Sequence, residues 1–253
     1  MMATQLAPDL ATNLATIRHG RILFSHHSVG ANIISGIKRI DAENSSTHLQ
    51  FASLKEASGS KEAALIDISG GRNGAPKTKI DFFAATLRGE KNLKPDLAFM
   101  KLCYVDFNPR TDVGELFDYY RTTIKTLKRE FPETRFAHVT APLTVWPTEP
   151  KWKMYRLLGR EVWEDAANVK RAEFNRLLKQ NFNTDPVFDL AQVEATAPDG
   201  NLTTFDQDGQ KYPSLYPGYT EDGEHLNVEG QRVAGMAAIR FMAEGLKGLN
   251  FAR

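Results

Sequence analysis

A serine that acts as a nucleophile needs a base to take its proton, an acid to steady that base, and donors for the charge that builds on the attacked oxygen. Two short stretches of this 253-residue chain carry residues of those types. The first is Ser25-His26-His27-Ser28-Val29-Gly30, between an apolar run and an amphipathic one. A serine there stands at a helix N-terminus, where free N–H groups and the positive end of the helix dipole can stabilise an oxyanion. It could equally serve only as the helix cap. The second stretch is Tyr219-Thr-Glu-Asp222-Gly-Glu-His225-Leu-Asn227-Val-Glu-Gly230. Asp222 and His225 can meet if the loop turns between them, and Gly223 permits such a turn. A plain local hydrogen bond would use the same pair. His225 could take the proton of Ser28 only if the fold joins the first loop to the last.

Other residues invite other chemistry. His26 and His27 suggest a metal, but adjacent residues leaving a strand point in opposite directions. His19, His48 and His138 offer no spacing that would complete a ligand set, so no metal is expected. Asp81, Asp106 and Asp189 fit strand-end and loop hydrogen bonds better than paired-carboxylate glycosidase chemistry. Cys103 is the single cysteine, which excludes an internal disulfide and a cysteine-based zinc cluster, and it reads as a small buried hydrophobe.

Such groups must be held by elements, and the chain alternates between two patterns. Apolar runs of strand length lie at Arg21–Ser25, His48–Ser53, Ala64–Ile68, Asp96–Leu102, Thr134–Val139 and Pro186–Leu190. Helical periodicity runs from Val29 to about Ile40, then at 79–88, 112–131, 163–181 and 229–246. This alternation predicts a parallel sheet covered on both sides within one domain spanning 1–253. Segments 142–160 and 195–220 lack regular periodicity and read as long loops at the carboxyl ends of the strands.

Composition bounds the partners. Lys plus Arg total 32 against 31 Asp plus Glu, so the formal charge of +1 supplies no global field for nucleic acid. A small neutral substrate fits better. No stretch approaches the roughly 18 apolar residues of a membrane span. The start lacks a basic end followed by an apolar run, which leaves the compartment open between the cytoplasm and export with a removed signal.

The order of blocks resembles the SGNH, or GDSL-like, hydrolases over roughly Arg21 to Gly245. Asp222-Gly-Glu-His225-Leu-Asn227-Val-Glu-Gly230 carries most of the resemblance, supported by Leu127–Pro142 and Val187-Phe-Asp-Leu190. It implies a three-layer α/β/α flavodoxin-like fold with a parallel sheet. It also implies cofactor-free hydrolysis of esters, thioesters or O-acetyl groups through an acyl-serine, with Ser28 as nucleophile, His225 as base and Asp222 as its partner. Two departures matter. The usual Gly-Asp-Ser is His26-His27-Ser28 here, and where the family has Gly-x-Asn-Asp this chain has Cys103-Tyr104-Val105-Asp106. Valine cannot donate a hydrogen bond. The oxyanion would then rest on the backbone N–H groups of Ser28 and Gly74, with Gly71 second, and on a side chain from Asn73, Asn108, His27 or His26. Arg72 is a further anchor for an anionic substrate.

The expected substrate is a small acyl ester, foremost an O-acetyl group on a carbohydrate or other polar alcohol. That preference rests on Trp146, Trp152, Tyr212, Tyr216 and Tyr219 in the long loops, which could stack on sugar rings or simply pack. A lipase or thioesterase is the alternative enzyme. A ligand-binding domain without turnover is the alternative class, with Val105 as its support.

Overall fold

The computed structural model describes residues 6–44 and 48–249. Helix α1, Leu6–Arg18, precedes β1, Arg21–Ser25, whose five residues are all buried. Continuous burial is the mark of a central strand covered on both faces. Ile22 and Phe24 pack to one side of it and Leu23 to the other, as a two-residue period requires. The chain continues through α2 (Val29–Asn44), β2 (Phe51–Ala52), α3 (Leu54–Ser58), β3 (Ala64–Ile68), α4 (Pro76–Gly89) and β4 (Leu97–Met100). It then passes through α5 (Val113–Glu130), β5 (Arg135–Phe136), β6 (His138–Val139), α6 (Pro150–Leu157) and α7 (Trp163–Asn181). It closes with β7 (Val187–Phe188), α8 (Leu190–Ala195), the hairpin β8 (Thr204–Gln207) and β9 (Gln210–Pro213), and α9 (Val228–Leu246).

The main sheet has five parallel strands in the order β2-β3-β1-β4-β5. Beyond it, β6 pairs with β7 in parallel, while Ala137, just before β6, donates its N–H to Ala98 O at 3.0 Å. The expected strand 134–139 is therefore two pieces, changing partner at Ala137. The expected strand 48–53 shrinks to Phe51–Ala52. Ser53 leaves the sheet to form a capping box with Glu56 at the start of α3.

Two layers of helix cover the sheet. Residues of α1, α2, α8 and α9 join Ile22, Phe24, Leu97 and Phe99 in one apolar cluster. Those of α4, α5 and α7 join Leu23, Ile66, Ala98 and Met100 in the other. This is the expected three-layer α/β/α architecture. The long loops are more regular than their periodicity suggested. Segment 142–160 contains α6, with Pro150 in its first turn, and segment 195–220 contains the β8–β9 hairpin, turning at Asp208-Gly209 with positive φ at both.

One packing detail governs the site. Gly36 of α2 lies against Gly235 of α9, and a Cβ on Gly36 would come within 1.9 Å of Gln231 O. Only glycine allows the two helices this approach. Ser28 immediately precedes α2 and His225 lies just before α9, so the contact sets the two loops side by side.

Candidate active site

Three loops meet at the carboxyl ends of β1, β3 and β4, where ligands bind in open α/β sheets. Between β1 and α2 the chain turns sharply, and Ser28 has φ of 51°, the left-handed region that side chains seldom adopt. Its carbonyl accepts from Ala31 N at 2.7 Å and Asn32 N at 3.3 Å, which starts the helix. The side chain turns outward from the helix, with Oγ 2.6 Å from His225 Nε2 across 197 residues of sequence. The Ser28 N–H has no hydrogen-bond partner among the described residues.

The second loop holds the histidine by its neighbours. His225 Nδ1 lies 2.7 Å from Asp222 Oδ2, and Asp222 Oδ1 accepts from Glu224 N at 2.8 Å and from His225 N at 2.7 Å. With Nδ1–H given to Asp222, the lone pair on Nε2 is left for the Ser28 hydroxyl. Partial desolvation works against the charged form of Asp222. Hydrogen bonds from His225, from Glu224 N and from Thr220 prevail and hold its carboxyl well below the usual range. Gly223 turns with φ of +87° and passes its carbonyl to Val145 N at 2.9 Å. Leu226 N donates to Asn32 Oδ1 at 3.1 Å, a direct tie to α2. Asn227 caps α9 through Gly230 N at 3.0 Å.

The glycine loop after β3 departs from expectation. Gly74 does turn with φ of +75°, but its N–H donates to Asp106 Oδ1 at 3.0 Å and so is not free for an oxyanion. Gly71 serves packing: a Cβ there would lie 2.7 Å from the Lys79 backbone. Asp106, wholly buried, also accepts from Cys103 N at 2.7 Å and from Lys79 Nζ at 2.7 and 2.8 Å. Lys79 Nζ donates in turn to Asn73 Oδ1 at 2.9 Å. One buried ion pair thus joins the loops after β3 and β4 and fixes the carbonyl end of the Asn73 amide. Sequence reading passed over Lys79, although its place beside Ile80 on the inward face of α4 was a signal of burial.

The other candidates are used elsewhere. His26 is buried with Nε2 2.6 Å from Asp67 Oδ1, and that hydrogen bond draws the Asp67 carboxyl below its ordinary value despite partial burial. His27 Nε2 lies 2.7 Å from Gly70 O and Nδ1 3.1 Å from Ser69 Oγ, so both ring nitrogens are engaged. Asn108 forms a turn, its Oδ1 accepting from Arg110 N at 2.8 Å. Arg72 is exposed, its N–H held by Thr78 Oγ1 at 2.8 Å. Tyr219 is only 4% exposed and packs on Tyr216, which removes it as a sugar platform. Trp146 lies between Phe205 and the Arg156 guanidinium, Tyr212 packs on Phe205, and Trp152 meets Tyr155 edge-on. Among the described residues no cluster of three or more His, Cys, Asp or Glu could hold a metal. Tyr104, also unremarked in the sequence, brings its hydroxyl to 3.3 Å from His225 Nε2.

Comparison with solved structures places this arrangement among known folds. A candidate acylhydrolase from Bacteroides fragilis aligns over 89% of this chain and 88% of its own, with TM-score 0.55 and 16% identity. A candidate GDSL-like lipase from Parabacteroides merdae aligns over 89% and 95%, with TM-score 0.47 and 15% identity. No protein-family model and no curated protein matches the sequence. What the likeness shows is the fold, a parallel sheet covered by helices on both faces.

Proposed function

We propose that this chain is a serine esterase that cleaves small acyl esters through an acyl-serine. The observation that carries the reading is the unbroken chain from Ser28 Oγ through the His225 ring to Asp222, with links of 2.6 and 2.7 Å. Ser28 Oγ attacks the carbonyl as its proton passes to His225 Nε2, and Asp222 steadies the imidazolium ion. The proton then goes to the leaving alcohol. Water enters, His225 takes its proton, and the acid departs from Ser28.

The charge on the attacked oxygen falls to the Ser28 N–H at the start of α2 and to the Asn73 Nδ2 amide, whose other end Lys79 fixes. Asn73 thereby takes the place of the side-chain donor that Val105 cannot supply. The acyl group is small and the alcohol polar, an O-acetyl carbohydrate foremost. A longer acyl chain is the second reading. It is favoured by the outward face of α6 and its flank, where Leu157 is 86% exposed and Met154, Leu158 and Trp163 each exceed 50%.

Fluorophosphonate labelling tests the assignment directly. Wild type should label and hydrolyse p-nitrophenyl acetate, and Ser28→Ala should lose the label and on the order of a thousandfold or more in kcat. An unlabelled wild type would sink the proposal. Rates across p-nitrophenyl esters of rising chain length separate the two substrate readings.

A further inference from the structure

His225 has a second polar partner besides Asp222. The Tyr104 hydroxyl donates to Glu224 Oε2 at 2.8 Å and lies 3.3 Å from His225 Nε2, with the two rings 5.6 Å apart and nearly perpendicular. Phenol carries a single hydrogen. Its shorter contact is with the carboxylate, so the face of the oxygen turned to the imidazole is a lone pair. The Ser28 hydroxyl stands beside that oxygen too and pulls the phenol slightly down, but while it gives its hydrogen to Nε2 the imidazole offers the lone pair no hydrogen to accept.

We propose that Tyr104 and Glu224 form a second arm on His225, the phenol oxygen accepting Nε2–H once the ring is protonated and Glu224 holding the phenol hydrogen away. The inference rests on the serine-esterase reading for its role in turnover, though the arm itself can be measured without substrate. When Ser28 Oγ bonds to the acyl carbon it becomes a poorer acceptor, and the new Nε2–H needs another. Tyr104 Oη is in place to share it, and donation to Glu224 makes that oxygen more negative. The proton then leaves to the departing alkoxide, while Tyr104 keeps its own hydrogen throughout. Nothing is consumed and no co-reactant is needed. Because the contact exists only with imidazolium, it lowers the transition state more than the ground state.

The surroundings keep Tyr104 in that role. Burial, and then the hydrogen bond to Glu224, push its phenol well above the usual tyrosine range, so it stays protonated. From α7, buried Arg171 donates to the Tyr104 carbonyl at 3.1 and 3.2 Å and fixes the backbone. The charged groups facing His225 are therefore Asp222 at Nδ1, Glu224 through the phenol, and the Arg171 cation behind Tyr104, which opposes them. Tyr104 touches the atom that carries the proton and is a catalytic residue; Glu224 acts through it and is a positioning residue.

The test is the titration of the His225 ring by nitrogen-detected NMR in wild type, Tyr104→Phe and Glu224→Gln. Loss of the acceptor should move the midpoint to lower pH by about half a unit to one unit in Tyr104→Phe, a threefold to tenfold loss of proton affinity. Glu224→Gln should move it less, in the same direction. With p-nitrophenyl acetate, kcat of Tyr104→Phe should fall about tenfold or more at similar KM, and its acid limb should shift with the ring. Unmoved midpoints in folded variants overturn the arm, even if Ser28 labels and esters are cleaved. Should Tyr104→Phe fail to fold, exposed Glu224→Gln decides alone: a shift supports the arm and an unmoved midpoint removes it. A shifted midpoint in a protein whose Ser28 never labels would keep the arm and sink the esterase reading instead.

Discussion

At the scale of single residues, the attacked oxygen is assigned, on the proposed reading, to the Asn73 amide. A donor aimed at a developing oxyanion does little for bound substrate and most when charge has formed, so its removal lowers kcat and spares KM. Asn73→Ala should therefore cost about a hundredfold in kcat at similar KM. On the same assignment, Val105→Asn should gain little. Steady-state kinetics of both variants check the assignment, and an Asn73→Ala enzyme with wild-type kcat would remove Asn73 from the oxyanion site. His26 and His27 enter no such series, since buried His26 faces Asp67 and both nitrogens of His27 are engaged by Gly70 and Ser69. They flank the turn in which Ser28 has positive φ.

At the scale of elements, the pair α2 and α9 holds the site together, because one follows Ser28 and the other follows His225. A Cβ at Gly36 would meet the backbone carbonyl of Gln231, which cannot move aside as a flexible side chain could. Gly36→Ala should force the helices apart, costing about 1 to 3 kcal/mol by overpacking. It should also lower kcat/KM by about tenfold or more as Oγ and Nε2 separate. Gly89→Ala is the control: at the end of α4, nothing lies within 4 Å of its added Cβ. Urea melts and kinetics on the same samples decide the matter, and a destabilised Gly36→Ala with full activity would show that the helix contact does not set the catalytic distance. The Lys79–Asp106 pair performs the same service between α4 and the loop after β4.

At the scale of the whole molecule, stability should depend on a buried acid in α8. Glu194 of α8 is 1% exposed and accepts Leu143 N at 2.7 Å, and burial raises its carboxyl from 4.5 to about 8, against the pull of Lys101 and Arg171. A folded-state value above the unfolded one means that the native state binds the extra proton between them. The stability it lends is full below the unfolded value and falls as pH climbs toward about 8. Lys101 is lowered by burial and acts with the opposite sign on the alkaline side. Comparing Tm of wild type and Glu194→Gln from about pH 5 to 8 isolates the acid: the variant should lose less on raising the pH, and parallel curves would contradict the assignment. The layered fold was legible from periodicity, because burial of one face imposes a two-residue period on strands and a 3.6-residue period on helices whatever the partner. Leu10, Leu14 and Ile17 in α1 and Asp208-Gly209 between β8 and β9 carried equally local signals that sequence reading missed. Ser28, Asp222 and His225 were legible as types and spacings. Their meeting across 197 residues was implied only by the resemblance, not by local pattern, since it depends on how two glycines let α2 and α9 approach. The sequence by itself determined the layers, the turn at Ser28 and the Asp222–His225 pair, all written in short-range pattern. Only the tertiary structure decided that Asp106 takes the Gly74 N–H, that Lys79 anchors Asn73 and that Tyr104 reaches His225. A hydrogen bond between distant elements is chosen by the distance and direction left after packing, and no local pattern encodes either.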